Sequence, residues 1–490
     1  MEASRPATSA TGVTHTHTFR SERGPILIAL MTTNALVAIN ATLLAAAIPA
    51  VVADLGGLTL FPWLFSLYML AQAASIPVYA KLADLYGRKP LILFGMAVFA
   101  VASVLCGFAW DMPSLIVLRT LQGLGAGAVH PIAVTIMGDL YTVRERAKVQ
   151  GYLAGAWGLG SISGPLLGGV LAVAGEWRAS FFLTIPLVAA AAWLIIVKFK
   201  EPVVKAQLRL DYLGAATLTI GLTLLVLGVL SGGINWAWGS PQSVGCFVGG
   251  LTLLLAFVFI ETRVFDPIVP LGLLKQRLLA AAAFISIGAG AIIAGLATYI
   301  PLYMVGTLGL SPLLAGLTLC AFMAGWPIAT SASTRIYLVV GYRVTTVVGG
   351  SIMMAGTAIL IAYALAPTVL AVLVACFAIG IGLGLAASPA LISAQASVEW
   401  KFRGVVSGTI MFCRLLGSAL GIAIFGALGN GVLHASGETP SPEDFANVGL
   451  VVFIGVGVSA LVCLVAAIAM PPHRPPPKTV PAVVDDSSIA

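Results

Sequence analysis

Residues 116–141 read IVLRTLQGLGAGAVHPIAVTIMGDLY. The stretch is apolar for long enough to cross a bilayer, because about 20 residues of helix span the hydrocarbon. It nevertheless carries Arg119 near its start and His130 past its middle. Lipid cannot solvate either group, so a span that keeps them must turn them toward other helices or toward a wet cavity. This one segment therefore implies a bundle of spans rather than a single anchor.

The rest of the chain is of the same kind. Of 490 residues, 59% are hydrophobic and 9% charged, whereas a soluble domain carries roughly a quarter charged residues. The formal charge of +7 does not point to nucleic acid, because the basic residues stand singly between apolar blocks. Cys106, Cys246, Cys320, Cys376, Cys413 and Cys463 all fall in apolar runs, without a C-x-x-C pair or a histidine at ligand spacing. They read as small packing residues, and neither a metal nor a cofactor is expected. The first 23 residues are polar, and no short apolar core with a small-residue cleavage site follows them, so the first apolar run is expected to stay as an anchor.

Reading about twenty apolar residues at a time places fourteen spans, near 25–51, 58–80, 90–110, 113–138, 149–173, 180–198, 211–232, 243–262, 279–306, 312–334, 343–365, 368–394, 404–430 and 447–470. Pro301 predicts a bend near the end of the ninth. With the N-terminus inside, 22 of the 25 Lys and Arg residues fall on inner segments, and only Arg119, Arg178 and Arg414 fall elsewhere. That bias is the one cytoplasmic loops carry, so both termini are expected in the cytoplasm. The longest outer loop, 429–449, holds Glu438, Glu443 and Asp444 and no basic residue, and Trp236 and Trp238 suit an interfacial belt. The proline-rich tail after residue 470 reads as disordered.

Shifting the sequence by 257 residues lays Gly123, Gly125 and Gly127 on Gly380, Gly382 and Gly384. The same shift lays Arg146 on Arg403, Gly151 on Gly408, Gly160 on Gly417, Gly164 on Gly421 and Gly169 on Gly426. A constant register over two spans and their loop implies two homologous six-helix halves, with spans 7 and 8 as an insert. Such duplication is a transporter architecture with substrate bound between the halves. The expected units are a polar N-terminus (1–24), a first bundle (25–200), a linker with two extra spans (201–275), a second bundle (276–470) and the tail (471–490). Gly160, Gly164 and Gly168 fall four apart, on one helical face, where another helix can approach closely. Pro165 beside them suits a bend in a gate.

Four stretches resemble motifs of the major facilitator superfamily. YAKLADLYGRKPLILFG (79–95) is similar to its signature loop, with Asp84, Gly87, Arg88 and Lys89 in place, and LRTLQGLGAG (118–127) to the arginine motif of its fourth helix. GPLLGGVL (164–171) resembles the fifth-helix motif of its antiporters, and WRASFFLTIP (177–186) the start of its sixth helix. Fourteen spans, the insert, FIETRVFDPIVPLGLL (259–274) and FCRLLGSALGIAI (412–424) resemble its fourteen-helix drug:proton antiporter branch. The resemblance implies an all-α integral membrane protein that exports lipophilic small molecules across a bacterial plasma membrane by alternating access, as a monomer exchanging substrate for protons. The signature loop has a physical reading beside it: Asp84 can accept from donors at the start of a facing helix, while Arg88 and Lys89 hold acids or lipid headgroups, forming a latch. The matching loop, STRIYLVVGYR (333–343), keeps Gly341 and Arg343 but has no aspartate.

The polar residues within the spans then locate a candidate site. INATLLAAAIP (39–49) supplies Thr42 and Pro49 at the branch's first-helix spacing, but the aspartate position is Asn40, and no carboxylate falls at mid-span anywhere. Proton coupling thus lacks its usual carrier. Asn40 and Arg119 lie at comparable depth and can share an amide–guanidinium hydrogen bond, with Gln122 as a further partner. His130, eleven residues beyond Arg119 and about 20° around the helix, is the one mid-span group that titrates near neutrality; a histidine satisfied by a backbone carbonyl fits equally well. Arg414 in span 13 has no acid on its own helix, and Trp157, its match in the repeat, can supply an aromatic wall. Two unpaired arginines favour neutral or anionic lipophiles over cations. An uncoupled or differently coupled carrier of an anionic metabolite or lipid is therefore the alternative. No G-x-x-x-x-G-K-[ST] loop occurs, and no catalytic cluster falls within the membrane, so neither direct ATP use nor an enzyme is expected.

Overall fold

A computed structural model describes residues 23–141, 143–201, 211–233, 235–264, 272, 275–398, 403–436 and 440–472. Among the described residues fourteen helices follow one another: α1 (Gly24–Leu55), α2 (Phe61–Tyr86), α3 (Arg88–Gly107), α4 (Met112–Leu140), α5 (Val143–Val173), α6 (Ala179–Lys198), α7 (Tyr212–Ser231), α8 (Pro241–Glu261), α9 (Arg277–Leu308), α10 (Pro312–Val340), α11 (Tyr342–Ala362), α12 (Val369–Ala396), α13 (Arg403–Ser436) and α14 (Pro442–Ala469). A hitch at Leu183 sets the first turn of α6 apart from the remainder. Among the described residues, twelve helices are long and apolar enough to cross a membrane. The apolar part of α2 is shorter, Phe61–Ile76, and α4 is the helix of Arg119; both pack within the same bundle. Helices α1, α4, α5, α9, α10 and α12 run unbroken through Pro49, Pro131, Pro165, Pro301, Pro327 and Pro389.

Where the chain turns in water, polar side chains start the next helix. Asp111, Ser240, Ser311, Thr368 and Ser441 cap α4, α8, α10, α12 and α14, all of which start on the side opposite the termini. Each cap satisfies a backbone N–H that would otherwise lack a partner, contributing about 1 kcal/mol.

The glycines fix how close the helices come, and they do so twice. In the first half, a side chain at Gly125 would meet Phe99 N at 2.6 Å and Gly95 O at 2.9 Å; in the second, one at Gly382 would meet Gly349 O at 2.6 Å and Met353 N at 2.7 Å. Gly123 lies under Tyr68 O as Gly380 lies under Phe322 O. Gly127 lies against Gln72 O as Gly384 lies against Trp326 O. The helix pairs correspond throughout: α1 packs on α5 as α9 packs on α13, and α2 and α3 pack on α4 as α10 and α11 pack on α12. The halves meet along two seams, α5 against α10 and α2 against α13, and α1 also touches α9 and α10 between them.

The insert is not symmetric between those seams. Helix α7 lays Leu218, Leu222, Val226 and Leu230 against a cluster containing Leu70 and Ala73 of α2 and Phe412, Ala419 and Ala423 of α13, with α8 behind it. It thus covers the α2/α13 seam.

Candidate functional site

Arg119 is only 1% exposed, and the sequence gives it a purpose-built surround. Its Nη1 donates to Asn40 Oδ1 at 2.8 Å, from α1, and to Gln122 Oε1 at 2.5 Å, one turn along α4. Gln122 Nε2 in turn donates to Ser103 Oγ at 2.6 Å on α3, which donates to Phe99 O. The guanidinium lies over the Tyr68 ring at 4.2 Å, with the Phe181 ring at 5.9 Å. Aromatic faces replace part of the lost hydration of a cation. Even so, Arg119 Nε and Nη2 and the Tyr68 hydroxyl are buried without hydrogen-bond partners among the described residues, and no carboxylate there reaches the arginine. The charge sits inside the first half, enclosed by α1, α2, α4 and α6, and does not face an open passage in this conformation.

Thr42 is used for packing. Its hydroxyl donates to Ala38 O at 3.0 Å and seats in the gap left by Gly164. Gly160 and Gly168 bring α5 equally close to Ala35 and Leu43 of α1, as Gly417 and Gly421 bring α13 to Ile287 and Ala291 of α9. Gly169 points elsewhere: a side chain there would lie 2.8 Å from Leu313 Cα, on the other half. The Pro165 carbonyl faces Gly316 across the same seam.

The two seams carry a common pattern of contacts. In one, Cys320 Sγ donates to Ile162 O at 3.3 Å and the Trp157 ring meets Trp326 edge-on, centroids 4.5 Å apart. In the other, Ser66 Oγ donates to Ala419 O at 2.8 Å, Pro62 lies against Gly426, and Asn430 Nδ2 donates to Thr59 O at 2.7 Å. All these contacts lie from the middle of the bundle to the side away from the termini. Toward the terminal side the pattern ends. Gly155 projects about 20° from the direction of Ile162 and Gly408 about 20° from that of Ala419, yet among the described residues a side chain at either would meet nothing within 4 Å.

The signature loop forms a clasp that sequence reading did not reach. Gly87 adopts φ 98°, and Gly341, its counterpart, φ 89°, conformations that side-chain-bearing residues rarely take. The carboxylate of Glu201, just past α6, accepts from the backbone N–H groups of Arg88 at 2.6 Å and Lys89 at 2.9 Å, on the positive end of α3. Lys89 Nζ donates to Ile196 O and Phe199 O at the end of α6, so it holds carbonyls rather than acids or headgroups. The side chains of Asp84, His130 and Arg146 lie outside the described residues, as do 1–22 and 473–490. Arg178, the third stray base, pairs with Asp54, which also accepts from Trp177 Nε1 at 3.0 Å. Among the described residues no group of three or more His, Cys, Asp or Glu side chains could hold a metal ion.

Residues 30–422 match the model of the Major Facilitator Superfamily. The chain is 32% identical over 393 residues to Multidrug resistance protein 3 of Bacillus subtilis, covering 80% of this chain and 76% of that one. It is 31% identical over 415 residues to Multidrug transporter protein MdtP of the same organism, covering 84% and 76%. Among solved structures it resembles a D-xylose-proton symporter, with a TM-score of 0.66 at 13% identity, covering 93% of this chain and 98% of that one. That likeness concerns the fold alone.

Proposed function

The chain belongs to the major facilitator superfamily, as a multi-pass membrane transporter and not an enzyme, and from that premise we propose that it exports lipophilic small molecules across a bacterial plasma membrane by alternating access, in exchange for protons. The observation that carries this reading is the asymmetry of the seams. Contacts between the halves close the bundle on the side away from the termini, whereas among the described residues nothing lies against Gly155 and Gly408 toward the terminal side. Two rigid halves joined at one end and parted at the other are one state of a rocking pair. The charge bias of the loops supports a cytoplasmic parted end, where an exporter loads. The names of the two Bacillus subtilis relatives support the substrate class.

A second reading is favoured by Asn40. With an amide where an acid is expected, Arg119 keeps its charge without a titrating partner among the described residues. This suits an uncoupled or differently coupled carrier of an anionic metabolite or lipid. Efflux of a lipophilic dye from proteoliposomes, with and without an imposed pH gradient, separates the two. Faster efflux under the gradient supports antiport; equal rates reject it in favour of the second reading; no efflux of any dye rejects drug export.

A further inference from the structure

The two halves are built alike, so what differs between matching positions shows what the duplicated scaffold has been adapted to hold. The hydrogen bonds that lock the seams are themselves a matched pair. Ser66 to Ala419 corresponds to Cys320 to Ile162, each a short side chain on the second helix of one half donating to a carbonyl on the fifth helix of the other. These bonds are common reference points in depth. Trp326 follows Cys320 by six residues and Gln72 follows Ser66 by six; Trp157 precedes Ile162 by five and Arg414 precedes Ala419 by five. All four therefore stand about 8–9 Å from their seam's lock, toward the parted end. The pseudo-symmetry puts the Trp157–Trp326 pair in one seam and Arg414 with Gln72 in the other, at one level near mid-membrane.

The two sides are chemically opposite. The tryptophans touch each other edge-on and are both partly exposed. Gln72 is 5% exposed and Arg414 partly exposed, and neither side chain has a hydrogen-bond or ion-pair partner among the described residues. An arginine at this depth is costly without water or an anion beside it, and the Gln72 amide beside it offers a second donor. The insert increases the contrast, since α7 covers the Arg414 seam with leucine and valine side chains.

We propose that the central site is polarised, taking amphiphilic organic anions with the aromatic body against Trp157 and Trp326 and the anionic head on Arg414 and Gln72. The site rests on the transport reading above and names its substrate class. An anion completes the donors that the fold leaves open, and a planar apolar body displaces poorly held water from the tryptophan faces. Cations gain at the tryptophans and lose at the arginine, so they bind less well.

The test uses two probes with one aromatic skeleton: 8-anilinonaphthalene-1-sulfonate and N-phenyl-1-naphthylamine, which lacks the sulfonate. Purified full-length protein is titrated against protein-free micelles as the blank. The sulfonate is expected to bind at least tenfold more tightly than the amine. Arg414→Gln removes that preference while leaving amine binding unchanged, Arg414→Lys keeps most of it, and Trp326→Ala weakens both probes alike. Equal affinity for the two probes in the unaltered protein, or a preference that survives Arg414→Gln, overturns the inference; binding of the amine shows that the variant is folded. Efflux of the amine from proteoliposomes is measured in parallel. Amine efflux without a sulfonate preference rejects the polarised site and leaves the transport reading standing, whereas a sulfonate preference without efflux of either probe does the reverse.

Discussion

Replacing Gly169 by alanine tests whether the parted and closed ends belong to a moving gate. The new Cβ would lie 2.8 Å from Leu313 Cα and 3.0 Å from Pro312 O, where ordinary contact begins at 3.4 Å. Both neighbours are backbone, so α5 and α10 must separate locally by about half an ångström. Overpacking of this kind costs roughly 1–3 kcal/mol. Because the contact crosses between halves, the cost falls only on the conformation closed at this side. About 1.4 kcal/mol moves the balance of two conformations tenfold. Gly158→Ala is the matched control on the same seam, since its Cβ would sit an unstrained 3.4 Å from Pro327 Cβ. Gly160→Ala crowds Ala35 of the same half, at 2.7 Å, and so strains both conformations equally. Spin labels at the exposed positions Val173 and Leu314, in a chain whose cysteines have been replaced, Cys320 by serine so that a donor to Ile162 O remains, report the gap by pulsed electron resonance. The ratio of long to short distances is expected to rise about tenfold in Gly169→Ala and to stay fixed in the other two variants. An unchanged distribution in Gly169→Ala, or the same shift in Gly160→Ala, would refute the reasoning.

Three further outcomes are expected. Glu201→Gln weakens the charge-assisted bonds to the first amides of α3, about 1–2 kcal/mol, so those amides exchange hydrogen several-fold faster; unchanged exchange would mean that water replaces the carboxylate. Arg119→Ala removes the partner of Asn40 and Gln122 and abolishes transport, while Asn40→Asp, 2.8 Å from Nη1, gives the arginine a counter-charge and yields monodisperse protein. Aggregation of Asn40→Asp would show the pocket too dry for an ion pair. His130→Ala lowers the pH dependence of efflux and spares ligand binding, and an identical pH profile would return His130 to a packing role.

The architecture was legible because bilayer thickness and backbone hydrogen bonding leave few choices: apolar runs of sufficient length become spans. The repeat was legible at Gly123, Gly125 and Gly127 because only glycine allows carbonyls such as Tyr68 O and Phe322 O to lie so near a neighbouring helix. A single shift could not carry that match into α2 and α10. Between Gly87 and Gly123 there are 36 steps of chain and between Gly341 and Gly380 there are 39, so laying Gln72 on Trp326 takes a second shift, of 254, anchored at Gly87 and Gly341. The hydrogen bond from Arg119 to Asn40 could be read from depth alone. Tyr68 and Glu201 could not, since one is an ordinary aromatic in an apolar run and the other follows α6 with no signal that its partner is the start of α3.

Helix α7 touches both halves, laying Leu218, Leu222, Val226 and Leu230 against α2 and α13. Contacts of that kind have no preferred direction, so the helix can slide along one neighbour while riding with the other, much as a greased shim stays in a working joint. In the proposed rocking cycle the insert would serve as a bearing, and a single polar anchor added to that surface would act as a brake without touching the cargo.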